Sequence, residues 1–254
     1  MPAAVASLAA GRAIVPVWLN EAGGLTFEVG DGAERCFVKW APAGSELDLA
    51  AEADRMEWAC RFHPVPRPLG RGQDADGSWL VTAPVPGDSA ATARWKADPA
   101  AAVTAIGEGL RAMHDSLPAA GCPFSWSAGE RVAAARRKAE DGRQDRAAWH
   151  PSRRGLTVAA ALERAAAIPP VDKLAVCHGD ACAPNTLIGA DGRWSGHVDL
   201  GALGTGDRWA DLAIATWSAG WNYGPGWERL LLDAYGVAPD PERTAYYRLL
   251  WDLG

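Results

Sequence analysis

The hydrophobic period of this 254-residue chain changes at Gly87, and that change limits the folds open to it more than any other feature. Before Gly87 the apolar residues come in short runs broken by turns. "AIVPVWL" and "LTFEVGDGAERCFVKW" in residues 12–40 read as strands, with Asp31-Gly32 as a hairpin turn. Residues 46–62 carry Leu49, Ala53, Met56 and Cys60 at helical spacing. "HPVPRPLG" ends that helix, and "SWLVTAPVPG" is one more strand leaving into a Pro/Gly linker. After Gly87 the period becomes helical. Asp98-Pro99 is an N-cap followed by proline at the first helical position, and Val103, Ile106, Leu110 and Met113 form a stripe running to His114. Residues 129–142 and 156–167 read as further helices, separated by a polar, aperiodic loop. "KLAVCHGD" is a short strand entering a loop, and "NTLIGADGRWSGHVDLG" is a hairpin turning at 190–192. "WERLLLDAYG" and "PERTAYYRLLWDL" end the chain as helices. Segregated strands and helices predict an α+β protein of two lobes. Residues 1–86 form a small β-rich lobe with one key helix, and 87–254 a larger, mainly helical one.

Composition narrows the partners. A net charge of −6 and a pI near 5.4 argue against nucleic acid and anionic membrane surfaces. The five cysteines are odd in number and scattered, without metal or disulfide spacing, as in a reduced, cytoplasmic protein. No apolar run approaches the roughly 18 residues of a membrane span. Thirteen tryptophans are best explained as core filling.

Four separated features carry chemistry together. Lys39 ends the strand "CFVKW", and Glu52 follows on the amphipathic helix. "CHGDACAPN" places His178, Asp180 and Asn185 in a strand-to-hairpin loop, and Asp199-Leu200-Gly201 closes that hairpin. Each alone has an ordinary structural use as a surface ion pair, a cap or a turn. In this order they form a phosphoryl-transfer set of the protein-kinase type. Lys39 would neutralise the α- and β-phosphates of ATP, with Glu52 fixing that lysine. Asp180 would take the proton of an attacking hydroxyl, and Asn185 and Asp199 would hold Mg²⁺, which prefers oxygen ligands. "NEAGGLTFEV" offers Gly23, Gly24 and Thr26 as a turn over the β- and γ-phosphates. The chain contains no G-x4-G-K-[ST], which excludes a P-loop.

The segments "FVKW", "EADRMEWA", "GLRAMHDSLPAAGCPF", "CHGDACAPNTLI" and "SGHVDLGALGTGDRWADLAIAT" carry a closer likeness. Over nearly its whole length the chain resembles the aminoglycoside 3′-phosphotransferases, the neomycin–kanamycin kinases. The resemblance implies a two-lobed protein-kinase-like fold, ATP or GTP near Ala83–Val85, and transfer to a sugar hydroxyl with resulting antibiotic resistance. It assigns Asp180 as catalytic, Asn185 and Asp199 as metal ligands, and Lys39 with Glu52 as the phosphate-binding pair. His178 is expected to be structural. Asp145, Asp207, Asp252 and the Gly254 carboxylate are expected to face an aminoglycoside or other amino sugar. A monomer or weak dimer is expected.

The chain departs from the family at the acceptor side. Ala202 stands where the family usually has arginine. "QDRAAWHPSRR" (144–154) has three arginines and one acid, Asp145, where relatives carry several acids. Arg146, Arg153 and Arg154 are therefore expected to weaken binding of a polycationic antibiotic. Trp149, Trp217, Trp221 and Tyr223 suit a less charged sugar. Streptomycin, phosphorylated at its 3″-hydroxyl, or another amino sugar is the alternative acceptor. A nucleotide-binding pseudokinase is disfavoured, because a binding module needs neither the base nor both metal ligands.

Overall fold

A computed structural model describes residues 1–20 and 23–254 and divides them into two compact units. The first comprises Met1–Gly87 and Ser195–Gly201, the second Asp88–Trp194 and Ala202–Gly254.

In the first unit α1 (Ala3–Ala9) precedes the strands β1 (Ile14–Leu19), β2 (Leu25–Val29) and β3 (Cys36–Pro42). Helix α2 (Leu49–Ala59), β4 (Pro68–Gln73) and β5 (Gly77–Thr82) follow. The five strands make one antiparallel sheet in the order β1-β2-β3-β5-β4. Strand alternation sorts β3: Val38 is buried with Val5, Ala9, Phe27 and Val29 under α1, while Lys39 points to the opposite face, where α2 packs. The expected helix over 46–62 is shorter, because the Asp48 carboxylate caps it by accepting from Ala51 N at 2.9 Å. Strand β4 was not expected from sequence. Its exposed "PLGRGQ" lacks an apolar face, and it is a strand only because β5 offers an edge.

The second unit holds β6 (Asp88–Ser89), α3 (Ala93–Lys96), α4 (Pro99–Ser116), α5 (Ala128–Glu140) and α6 (Val158–Ala166). After them come β7 (Leu174–Cys177) and β8 (Thr186–Ile188); β9 (Trp194–His197) leads the chain back into the first unit. Then β10 (Gly204–Asp207), α7 (Trp209–Tyr223), α8 (Glu228–Tyr235) and α9 (Pro241–Asp252) complete the fold. Its core gathers Val103, Ile106 and Leu110 of α4 with apolar residues of α7, α8 and α9. Helices α4 and α8 approach so closely that a Cβ at Gly107 would lie 2.6 Å from Leu231 O, so glycine is required there. Strand β7 pairs antiparallel with β10, aligning Cys177 with Gly204. No helix among the described residues is long and apolar enough to cross a membrane.

Candidate active site

In the first unit, one ammonium meets two carboxylates. Lys39 Nζ donates to Glu52 Oε1 and Oε2 at 3.0 and 2.9 Å, and also to Asp199 Oδ1. The Lys39 and Glu52 side chains are largely buried, and that of Asp199 is 38% exposed. Burial alone would lower the lysine's pKa, but the charges of Glu52 and Asp199 outweigh it and hold the ammonium well above its usual range. Burial, helped by the neighbouring Asp199, pushes the Glu52 carboxyl up against the pull of Lys39. A cavity of about 300 Å³ opens over this group, lined also by Glu46, Leu47, Asp48 and Arg55. Asp199 sits at φ +66°, a left-handed conformation that aspartate tolerates better than most side chains. Leading to it, His197 faces His63 across 2.9 Å, both rings buried, which ties the Asp199 segment to the chain beyond α2.

The glycine-containing turn at 20–29 is described except for residues 21 and 22. Gly24 N donates to Asn20 Oδ1 at 2.6 Å, and Asn20 N to Gly24 O at 2.9 Å. Gly23 adopts φ +79°, and Thr26 pairs with Lys39 across β2 and β3. Ala83 N donates to Arg67 O at 2.9 Å just beyond β5, and Val85 lies against Gly196.

In the second unit the loop after β7 is fixed by backbone hydrogen bonds. Gly179 is left-handed (φ +84°), and a Cβ there would lie 2.3 Å from Ala202 O. No other residue fits. Asn185 Nδ2 donates to Asp180 O at 2.9 Å and to Asp180 Oδ2 at 3.0 Å. Asp180 Oδ1 is buried and accepts no hydrogen bond from any described residue, so its lone pairs remain available to a proton. Ala183 N donates to Ser218 Oγ (2.9 Å), which anchors the loop on α7.

Two residues expected to contact the acceptor, Asp207 and Asp252, have partners within the chain. Asp207 is buried, accepting from Asp172 N and Trp209 N, each at 3.0 Å, because it stands where α7 begins and its amides need an acceptor. Asp252 accepts from His150 N at 3.2 Å and from Arg153, and its side chain is only 4% exposed. Asp145 remains exposed, and the Gly254 carbonyl accepts from Lys138. The loop arginines are likewise engaged: Arg146 donates to Arg154 O, Arg154 to Trp149 O, and Arg153 lies 4.9 Å from the Trp217 ring centre. Trp149 is core, and Trp217 is nearly buried, but Trp221, its ring centre 5.0 Å from that of Trp217 and tilted by 40°, is 53% exposed.

Sequence reasoning assigned no role to Asp211, wholly buried in α7. The signal was present: a lone acid inside the apolar "WADLAIAT" has to find partners. It accepts from His178 N at 2.6 Å, Gly179 N at 3.0 Å and His114 Nε2 at 2.9 Å. Burial would raise its pKa, but these contacts outweigh that and hold it below the usual range. Its stabilising contribution is therefore present above the ordinary carboxylate range and lost as pH falls through the lowered value.

A family model described as "Phosphotransferase enzyme family" matches residues 19–247. The chain is 39% identical over 225 residues to an aminoglycoside 3′-phosphotransferase of Streptomyces fradiae, covering 83% of this chain and 81% of that protein. It is 34% identical to a streptomycin 3″-kinase of Streptomyces griseus, covering 91% and 88%. Among solved structures, an aminoglycoside phosphotransferase of Streptomyces rimosus in complex with ADP and streptomycin superposes with a TM-score of 0.77 at 30% identity. That match covers 100% of this chain and 99% of the other.

Proposed function

Because the chain belongs to the phosphotransferase enzyme family, we propose that it moves the γ-phosphate of ATP to the 3′-hydroxyl of a kanamycin- or neomycin-type aminoglycoside and so confers resistance. The observation that carries this reading is Asp180: its Oδ1 is buried and unpartnered, while its Oδ2 accepts from Asn185 in a loop built around Gly179. Asp180 takes the proton of the acceptor hydroxyl as its oxygen bonds to phosphorus. The bond from phosphorus to the β,γ-bridging oxygen breaks, and ADP leaves. The first unit is the nucleotide side: Lys39 neutralises the phosphates, Glu52 holds Lys39, Gly23, Gly24 and Thr26 lie along the phosphates, and Ala83–Val85 line the base. The second unit supplies the catalytic loop and the acceptor contacts.

Asp199 and Asn185 would hold Mg²⁺. Both offer hard oxygen donors, and Asn185 turns its amide nitrogen to Asp180, which leaves its oxygen as the donor. When bound, the ion offsets charge on the transferring group.

Lys39→Ala is expected to raise the nucleotide KM and cut kcat, with Glu52→Ala a milder version of the same change. The double variant should fall short of additivity, since the two side chains share one contact. Full additivity in an ADP-release assay would separate them.

Arg153 shapes the acceptor side. It occupies Asp252, so the repulsion expected from its charge is largely cancelled within the chain. Arg153→Ala frees that carboxylate and should lower the kanamycin KM about two- to fivefold, the size of one partly screened charge. An unchanged or higher KM would place Asp252 away from the acceptor. A second reading, streptomycin as acceptor, is favoured by the exposed Trp221 and the scarcity of loop acids. Coupled ADP-release assays with kanamycin, neomycin, streptomycin and neutral sugars decide between them. Turnover of a neutral sugar alone would overturn both.

A further inference from the structure

A buried polar chain runs from α8 to the catalytic loop, and the reaction as described makes no use of it. The Tyr235 hydroxyl and His114 Nδ1 are 2.9 Å apart, and His114 Nε2 donates to Asp211 Oδ2 at 2.9 Å. The same Asp211 carboxylate receives the amides of His178 and Gly179, and His178 Nδ1 in turn accepts from Asp180 N at 3.2 Å. We propose that His114 and Tyr235 are positioning residues for phosphoryl transfer: through Asp211 they fix the backbone on which Asp180 is aimed. This rests on the reading of Asp180 as the group that takes the proton.

Three observations support a positioning role over simple packing. First, His114, His178, Asp211 and Tyr235 are all buried in a core of leucine, alanine and tryptophan. Apolar residues of similar volume would fill that space without desolvating a charge, so the polar set is matched by geometry rather than by burial. Second, the carboxylate accepts two consecutive amides, the second from the left-handed Gly179, so it selects one backbone conformation immediately before Asp180. Third, both ends of the chain are anchored. Asp180 is gripped by Asn185, while Tyr235 lies under the guanidinium groups of Arg111 and Arg208, each 5.9 Å from its ring centre. Burial pushes the tyrosine up to about 12, which keeps its hydroxyl a donor at neutral pH.

His114, Cys177 and Asp211 also have potential ligand atoms within 4.8 Å of one another. The Cys177 thiol donates to Asp207 O at 3.3 Å and burial raises its pKa, while His114 Nε2 is spent on Asp211. The cluster is a hydrogen-bond network, not a metal centre.

The test uses the full-length protein with ATP, Mg²⁺ and whichever of kanamycin or streptomycin it turns over faster. His114→Leu is expected to lower kcat about tenfold or more with the nucleotide KM unchanged, and Tyr235→Phe to give a smaller loss in the same direction. His114→Gln, whose amide can still donate to Asp211, should recover part of the loss. Hydrogen exchange should speed up at residues 178–180 in His114→Leu and Tyr235→Phe and stay unchanged at Lys39 and Glu52. If His114→Leu fails to fold, Tyr235→Phe, which deletes one oxygen, carries the test alone. A folded variant with kcat within twofold of the parent, or one that loses only melting temperature, overturns the proposal. Asp180→Asn run alongside separates the two ideas. An active Asp180→Asn refutes the role of Asp180 itself, whereas an inactive one beside a fully active His114→Leu refutes only the positioning role.

Discussion

Asp180→Asn is expected to lower kcat by at least about 10²-fold while nucleotide affinity stays within about twofold of the parent. Asparagine keeps the shape and can still accept from Asn185 through its amide oxygen. What it loses is the basic lone pair now buried and unpartnered at Oδ1. The loss should therefore fall on the chemical step. The check is kcat at saturating aminoglycoside together with calorimetric titration of the nucleotide. Turnover within tenfold of the parent would remove Asp180 from the role of base.

Asp199 should be nearly as sensitive, and for a different reason. Asp199→Ala is expected to abolish turnover, with Asn185→Ala less severe, because a carboxylate brings charge to a cation that an amide does not. Asp199→Ala also forces a residue with a Cβ but no local hydrogen-bonding group into a left-handed conformation. Asp199→Asn avoids that strain, since asparagine adopts the conformation readily, and so isolates the charge. It also leaves Lys39 with Glu52 as its one carboxylate partner in the trio. Activity is to be followed against Mg²⁺ concentration. If Asp199→Asn kept the parent's Mg²⁺ dependence, the aspartate would not be a ligand of the ion.

The α+β reading was legible because periodicity is a local property. The two-residue alternation around Val38 and Lys39 and the stripe from Val103 to Met113 are written into adjacent residues. Elements that exist only by pairing were not legible. Strand β4 has no apolar pattern of its own, and β10 is a glycine-rich "GTGD" that becomes a strand by lying beside β7. The candidate site divides in the same way. Lys39 and Glu52 were readable as a pair because their partner is each other, and the structure joins them. Asp207 and Asp252 were expected to face the acceptor from the family resemblance, which does not say what else each carboxylate touches. Whether a backbone amide or an arginine reaches it first is a tertiary fact. The pairing of Arg153 with Asp252 was not legible for the same reason. A count of residues in a loop says nothing of which charges are already spent.

The return of Ser195–Gly201 to the first unit has a consequence for dissection of the protein. A gene fragment ending at Gly87 would encode the whole five-stranded sheet, yet it would not encode the unit. It would omit His197, which faces the buried ring of His63, and Asp199, leaving Lys39 with only Glu52 of its two acidic partners. The unit is discontinuous in the gene and continuous in space. Any attempt to swap it between relatives must therefore carry two segments, and a single crossover at Gly87 would transplant a lysine from one parent to face an aspartate from the other.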